Sequence, residues 1–225
     1  MIHDLRELEP GLYVIIGPMF SGKTTELISS LKKYKIAEYN VLLVKPSLDN
    51  RYSEEEVVSH DGLRMKAFRL PLKGAKGELS SYLNHKKYDI IGIDEVQFFD
   101  KEFAFYLIEL AEEMPVYAAG LNLDFRGEPW ESVSILLPYA DEIVEKYAIC
   151  MYRDPVTKKV CGRRATRTQR LINGKPAPYN SPRILIGGRE SYEPRCKKHH
   201  IVPGRPRNFN LSSLNHSLVY ESRRD

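Results

Sequence analysis

Four short apolar, β-branched runs punctuate the first two-thirds of the chain, separated by polar or amphipathic stretches. They are residues 11–16 (GLYVII), 41–44 (VLLV), 89–93 (DIIGI) and 116–119 (VYAA). Each has the length and continuity of a strand buried on both faces. After the first run, Leu27, Ile28, Leu31, Tyr34 and Lys35 follow a three–four spacing, which predicts a helix beyond Lys23 with a stop at Asn40. Residues 101–113 repeat the helical spacing. Val57-Val58 and residues 65–68 flank Asp61-Gly62, a hairpin turn signal, while residues 47–56 read as a polar loop. Strands alternating with helices predict the α/β class: a mainly parallel sheet with helices on both faces.

Composition changes this picture only in the last third. The chain has 225 residues, of which 42% are hydrophobic and 28% charged, so wholesale disorder is excluded. No apolar run reaches the length of a membrane helix, and MIHDLRELEP carries acids where a signal peptide needs a basic start; a cytoplasmic protein without membrane partners is expected. Residues 1–150 hold 17 Lys/Arg against 25 Asp/Glu, a net of −8, whereas residues 151–225 hold 17 against 5, a net of +12. From Cys150 onward the chain is basic, turn-rich and poor in apolar residues, the profile of a module that needs a metal in place of a core. The expected organisation is an α/β catalytic domain over 1–149, a small metal-binding module over 150–200, and a tail over 201–225.

The chemistry begins at Gly17-Pro18-Met19-Phe20-Ser21-Gly22-Lys23-Thr24, which matches GxxxxGK[ST] between a predicted strand and a predicted helix. Glycines let backbone N–H groups approach phosphates, and the helix N-terminus adds partial positive charge. Lys23 is suited to the β- and γ-phosphates and Thr24 to Mg²⁺, so ATP or GTP is the expected ligand. The strand at 89–93 ends in Asp94-Glu95. Asp94 is a candidate for Mg²⁺, and Glu95, on the opposite face, for taking a proton from water or from a substrate hydroxyl. Residue types alone do not separate an ATPase from a kinase.

Cys196-Lys-Lys-His199 has ligand spacing, and Cys150 and Cys161 are the remaining thiols. Three thiolates and one imidazole make a closed, structural Zn²⁺ site. His200 is an alternative to His199, and three buried free cysteines are the plainer reading.

Together these segments resemble the cellular-type (type II) thymidine kinases, from about Gly11 to His200. The motifs, in order, are GPMFSGKT at 17–24, DNRYS at 49–53, IGIDEVQFF at 91–99, GLNLDFRGEPW at 120–130, ATRTQRL at 165–171 and GGRESYEPRCKKHH at 187–200. The resemblance implies transfer of the ATP γ-phosphoryl to the 5′-hydroxyl of thymidine, with deoxyuridine as a further acceptor. It implies Glu95 as general base, Arg51 as the cation on the transferring group, and Mg²⁺ near Thr24, Asp94 and Asp49. A thymine pocket of Met19, Phe98, Leu121, Phe125, Trp130, Thr168 and Tyr192 follows, closed by an extended segment near Arg183–Gly188 that includes Ile184, Ile186 and Gly187. It also implies a homotetramer and feedback inhibition by dTTP. Two departures stand out. Ten residues (151–160) separate the first two cysteines where the family commonly has two, and Asn122 stands where many relatives have Asp. The competing reading is a P-loop ATPase whose zinc module grips nucleic acid, which the +12 segment suggests; under the kinase reading no nucleic acid is expected. An inactive relative is a third possibility.

Overall fold

The computed structural model describes residues 8–47, 56–59 and 62–206. All four apolar runs become strands of one sheet: β1 (Gly11–Ile16), β2 (Val41–Pro46), β6 (Ile90–Ile93) and β7 (Pro115–Gly120). The sheet is completed by β5 (Phe68–Leu70) and β8 (Glu142–Glu145), and its order is β5-β2-β6-β7-β1-β8. Every pairing in it is parallel, with Ile15 opposite Ala119 and Val44 opposite Ile93.

Helices cover both faces, as the alternation predicts. On one face α2 (Ala75–His85), α3 (Lys101–Ala111) and α4 (Glu131–Leu136) pack Leu79, Phe103, Leu107, Val133 and Leu136 against Val14, Val44, Ile91 and Val116. Asp100 caps α3 by accepting from the Phe103 N–H, a bond typically worth about 1 kcal/mol. On the other face α1 (Lys23–Ile36) lays Leu27, Ile28 and Leu31 on Ile15, Leu43 and Ile90. Gly92 permits that close approach, because a Cβ there would stand 2.4 Å from Leu31 Cδ1. The helix ends before the expected stop at Asn40: Ala37 is its C-cap and Glu38 turns to positive φ. The hairpin flanking Asp61-Gly62 forms as β3 (Glu56–Val58) and β4 (Arg64–Lys66), but its second arm stops short of the expected Phe68, which joins β5 of the main sheet; Asp61 itself lies outside the described residues. So does most of the loop expected at 47–56.

Beyond the sheet, β9 (Ala148–Ile149) pairs with β10 (Arg164–Ala165), and β11 (Arg167–Ile172) lies between β12 (Lys175–Pro176) and β13 (Tyr192–Arg195). The apolar cluster here is small, consisting of Ala148, Cys150, Ala165 and Cys196 with Tyr152 and Cys161 against it. Buried polar side chains, namely Thr168, Gln169, Arg170 and Arg195, replace the missing core. Such groups are stable inside only when hydrogen-bonded, and these are. Of the expected tail, residues 201–206 are described, and 207–225 lie outside the described residues.

Candidate active site

The loop between β1 and α1 is shaped by backbone conformations that few residues adopt. Gly22 has φ +81 and Phe20 φ +64, and a Cβ on Gly17 would stand 2.4 Å from the Lys146 carbonyl oxygen. The N-terminus of α1 has no side-chain cap, which leaves its first N–H groups available to phosphate. Buried Lys23 curls back and donates from Nζ to the Pro18 carbonyl at 2.8 Å, and Ser21 Oγ donates to the same oxygen at 2.8 Å. Burial lowers the Lys23 ammonium below its ordinary range, against the pull of Glu95 and Asp94.

Asp94 follows the last residue of β6 and faces this loop. Thr24 Oγ1 lies 3.2 Å from both of its carboxylate oxygens. Burial, and then the charge of Glu95, raise Asp94 to about 7, opposed by Lys23 and the Thr24 hydroxyl. These hard oxygen donors, beside a site for phosphate, fit Mg²⁺. Asp49 and Arg51 lie outside the described residues.

Glu95 turns the other way because its backbone is left-handed, with φ 53 and ψ 41. Its carboxylate accepts from Gln97 Nε2, and Gln97 Oε1 in turn accepts the Leu121 N–H at 3.0 Å. Glu95 thereby forms part of the wall of a pocket that also contains Met19, Phe98, Leu121, Phe125, Trp130, Thr168, Ile184, Ile186, Gly187 and Tyr192. All ten residues expected around a thymine are in that wall. Phe98 meets Trp130 edge-on at 5.7 Å, and Thr168 Oγ1 accepts the Met19 N–H at 3.0 Å, tying the phosphate loop to β11.

The same wall holds Asp124 and Arg170, which were not expected as site residues, together with Arg183 and Leu185 of the expected closing segment. Asp124 is buried. One of its oxygens accepts the N–H groups of Arg126 and Glu128, and the other takes Arg183 Nε at 3.0 Å. A signal for it existed in Asp124-Phe-Arg-Gly127, where an Asp two residues before a turn holds backbone N–H groups. Arg170 lies within the ATRTQRL segment, but nothing local shows what it does, because its partners lie far along the chain.

Cys150, Cys161, Cys196 and His199 bring one ligand atom each within 4.8 Å of one another. The Cys161–Cys196 sulfurs are 4.0 Å apart, and His199 Nδ1 lies 3.7 and 3.6 Å from the Cys150 and Cys196 sulfurs. Sulfur at ~2.3 Å from a tetrahedral Zn²⁺ makes edges of roughly 3.8 Å, so the cluster fits the ion. The Arg163 backbone N–H, with its guanidinium 3.3 Å from the sulfur, holds the Cys161 thiol at about 6, while burial raises Cys150. The ten residues between the first two cysteines form a small hairpin bridged between Arg153 and Val160, and the Tyr152 ring stacks on His199 at 4.1 Å. His200 is not the ligand: its Nε2 lies 2.8 Å from the Phe125 carbonyl oxygen, linking the metal knuckle to the pocket wall.

Comparison with known proteins agrees with this geometry. The family model for thymidine kinase matches residues 11–200. A thymidine kinase of Thermococcus kodakarensis is 52% identical over 204 residues, covering 88% of this chain and 99% of the relative. One from Pyrobaculum aerophilum is 48% identical over 192 residues (85% and 99%), and one from Coprothermobacter proteolyticus is 46% identical over 195 residues (86% and 92%).

Proposed function

The chain belongs to the thymidine kinase family, and from that premise we propose how its residues divide the work. It is an ATP-dependent phosphotransferase that acts on thymidine. The nucleoside lies in the pocket between Phe98, Phe125 and Trp130 on one side and the 183–187 strap on the other, with its 5′-hydroxyl toward Glu95. The observation that carries this is the shared wall: Met19 of the phosphate loop, Glu95 and the strap all face one cavity.

Glu95 accepts the proton of the 5′-hydroxyl as its oxygen bonds to the γ-phosphorus, and the bond to the bridging oxygen of ADP breaks. Lys23 and the N-terminus of α1 hold the phosphates, and Arg51 steadies the charge on the transferring group. Mg²⁺, held through Thr24 and Asp94 with Asp49, supplies positive charge to the β- and γ-phosphates when bound. The strap excludes water, so phosphate passes to the nucleoside rather than to solvent. Zn²⁺ on Cys150, Cys161, Cys196 and His199 is structural, because four protein ligands leave no open position. No described helix is long and apolar enough to cross a membrane, and a cytoplasmic enzyme is the reading we adopt. A homotetramer and inhibition by dTTP complete it; light scattering and a dTTP titration test them.

The deciding assay is phosphorylation of thymidine, deoxyuridine, deoxycytidine and the purine deoxynucleosides with Mg·ATP. Thymidine should be labelled at its 5′ position, deoxyuridine more weakly, and the others little. Thymidine left unlabelled refutes the reading.

A further inference from the structure

The strap over the pocket is an extended segment without regular secondary structure, yet its carbonyls are occupied one after another by side chains. Arg126 donates to the Ser181 oxygen at 2.8 Å. Arg170 donates from NH1 to the Pro182 oxygen and from NH2 to the Arg183 oxygen, the latter at 2.8 Å. The Tyr192 hydroxyl donates to the Leu185 oxygen at 2.7 Å, and itself accepts from Arg170 Nε at 3.0 Å and NH2 at 2.6 Å.

Arg170 is the hub. It stands on β11, is 2% exposed, and stacks its guanidinium 4.0 Å over the Phe125 ring in the pocket wall. Among the described residues no carboxylate lies within ion-pair distance of it; its partners are two carbonyls, a phenol and aromatic faces. A buried cation without a counter-ion is costly, and a purely structural position would be filled at lower cost by an apolar side chain. What the guanidinium provides that no apolar residue can is a planar fork reaching three acceptors on two chain segments at once.

We propose that Arg170 is the positioning residue for nucleoside binding: acting directly and through the Tyr192 hydroxyl, it sets the strap in the conformation that accepts the substrate. This rests on the reading of the pocket as the thymidine site. Arg170 acts on the segment that covers the base and not on the phosphate loop, so its effect is confined to the nucleoside half of the site. A lysine keeps the charge but offers one nitrogen, which cannot span the Pro182, Arg183 and Tyr192 oxygens together.

The test compares wild type, Arg170→Lys, Tyr192→Phe and the double variant, as full-length metal-loaded enzyme. Steady-state kinetics are run in both substrates, and limited trypsin cleavage is followed at Arg183–Ile184, a bond within the strap. For Arg170→Lys the thymidine KM should rise about tenfold or more, the scale of losing one or two hydrogen bonds to a charged donor, with the ATP KM and zinc content unchanged. Cleavage at Arg183 should quicken, and thymidine should protect wild type far better than the variant. Tyr192→Phe should shift both readouts in the same direction, and the double variant should fall well short of the product of the single effects. A thymidine KM and cleavage rate equal to wild type in Arg170→Lys overturns the proposal, as does a parallel rise in both KM values with loss of zinc. If Arg170→Lys does not fold, Tyr192→Phe decides alone, and wild-type behaviour overturns it. Failure of the pocket reading looks different: wild type itself would neither phosphorylate thymidine nor be protected by it.

Discussion

Replacing Glu95 separates chemistry from architecture, because its backbone and side chain pull stability in opposite directions. Glu95 sits at φ 53 and ψ 41, a left-handed conformation that costs a residue with a Cβ roughly 1–2 kcal/mol. Its charge also raises the neighbouring buried Asp94. Against these costs stand the bond from Gln97 to the charged carboxylate, worth roughly 1.5–3 kcal/mol, and the attraction of Glu95 for the Lys23 ammonium. Glu95→Gly removes the strain and the repulsion, gives up that bond, and loosens the unfolded chain by roughly 0.5–1 kcal/mol. Strain relief offsets most of what is lost, leaving a net destabilisation of about 1–2 kcal/mol, so the melting temperature should fall by no more than about 8 °C. Activity should not survive. Glu95→Gln, which keeps the shape and removes the basic oxygen, should lower kcat by about 10²–10⁴-fold with both KM values little changed. Glu95→Asp draws the carboxylate back by roughly one carbon–carbon bond, ~1.5 Å, a displacement that costs on the order of 10²-fold. The assays are kcat with thymidine at saturating Mg·ATP, and calorimetric melting of each variant. If Glu95→Gln keeps kcat within threefold, or Glu95→Gly lowers stability by several kcal/mol, Glu95 is a structural residue and the reasoning fails.

Three other outcomes follow from the same geometry. Gly120→Ala would place a Cβ 2.8 Å from Gln97 Oε1 and from Val96 Cγ1; overpacking of about 1–3 kcal/mol in a melting experiment should come with a kcat loss, because Gln97 steadies Glu95. Asp124→Asn keeps the acceptor for the turn but sets an amide donor against the Arg183 guanidinium, which is 38% exposed; the thymidine KM should rise severalfold while the ATP KM holds, with a destabilisation of about 1–2 kcal/mol after allowing for solvent at Arg183. Cys196→Ser removes one of four ligands and leaves the other thiols without their ion; metal analysis should find well under one Zn²⁺ per chain, and nucleoside binding by calorimetry should weaken, since His200 ties the knuckle to Phe125.

The strands and the phosphate loop were legible because local signals carry them. A buried parallel strand is a continuous apolar run, and Gly17 to Thr24 encodes its turn, its cation and its helix start within eight residues. The cluster of Cys150, Cys161, Cys196 and His199 was legible from residue type, since few other uses need three thiols and an imidazole in so polar a context. The helix at 75–85 was not assigned, and of its side chains only Ala75 and Leu79 are buried. Arg170 was missed for a different reason: it stands inside the ATRTQRL segment, but its role lies in partners 12 to 45 positions away along the chain, which the segment itself does not show. The charge shift near residue 150 gains a physical account from the same contacts. Arg170 and Arg195 are buried and hold carbonyls and a carboxylate inside the protein, so part of the apparent basic surface is internal wiring. Asn122 remains unexplained by any contact beyond its carbonyl, which accepts the Trp130 N–H.

The strand order has a consequence for how the protein is made. β1 leaves the ribosome well before its neighbours in the sheet, which are β7 and β8 at residues 115–120 and 142–145. The Met19 N–H waits longer still, for Thr168. By contrast β2, β5 and β6 can pair with one another as soon as residue 93 emerges. Synthesis therefore passes through an interval in which half a sheet stands formed while the nucleotide loop, already translated, has no strand beside it. A chain that ends before residue 115 has no strand to lay beside β1, and one that ends between β7 and β8 is expected to expose the free edge of β1 to other chains instead of presenting a weakened enzyme.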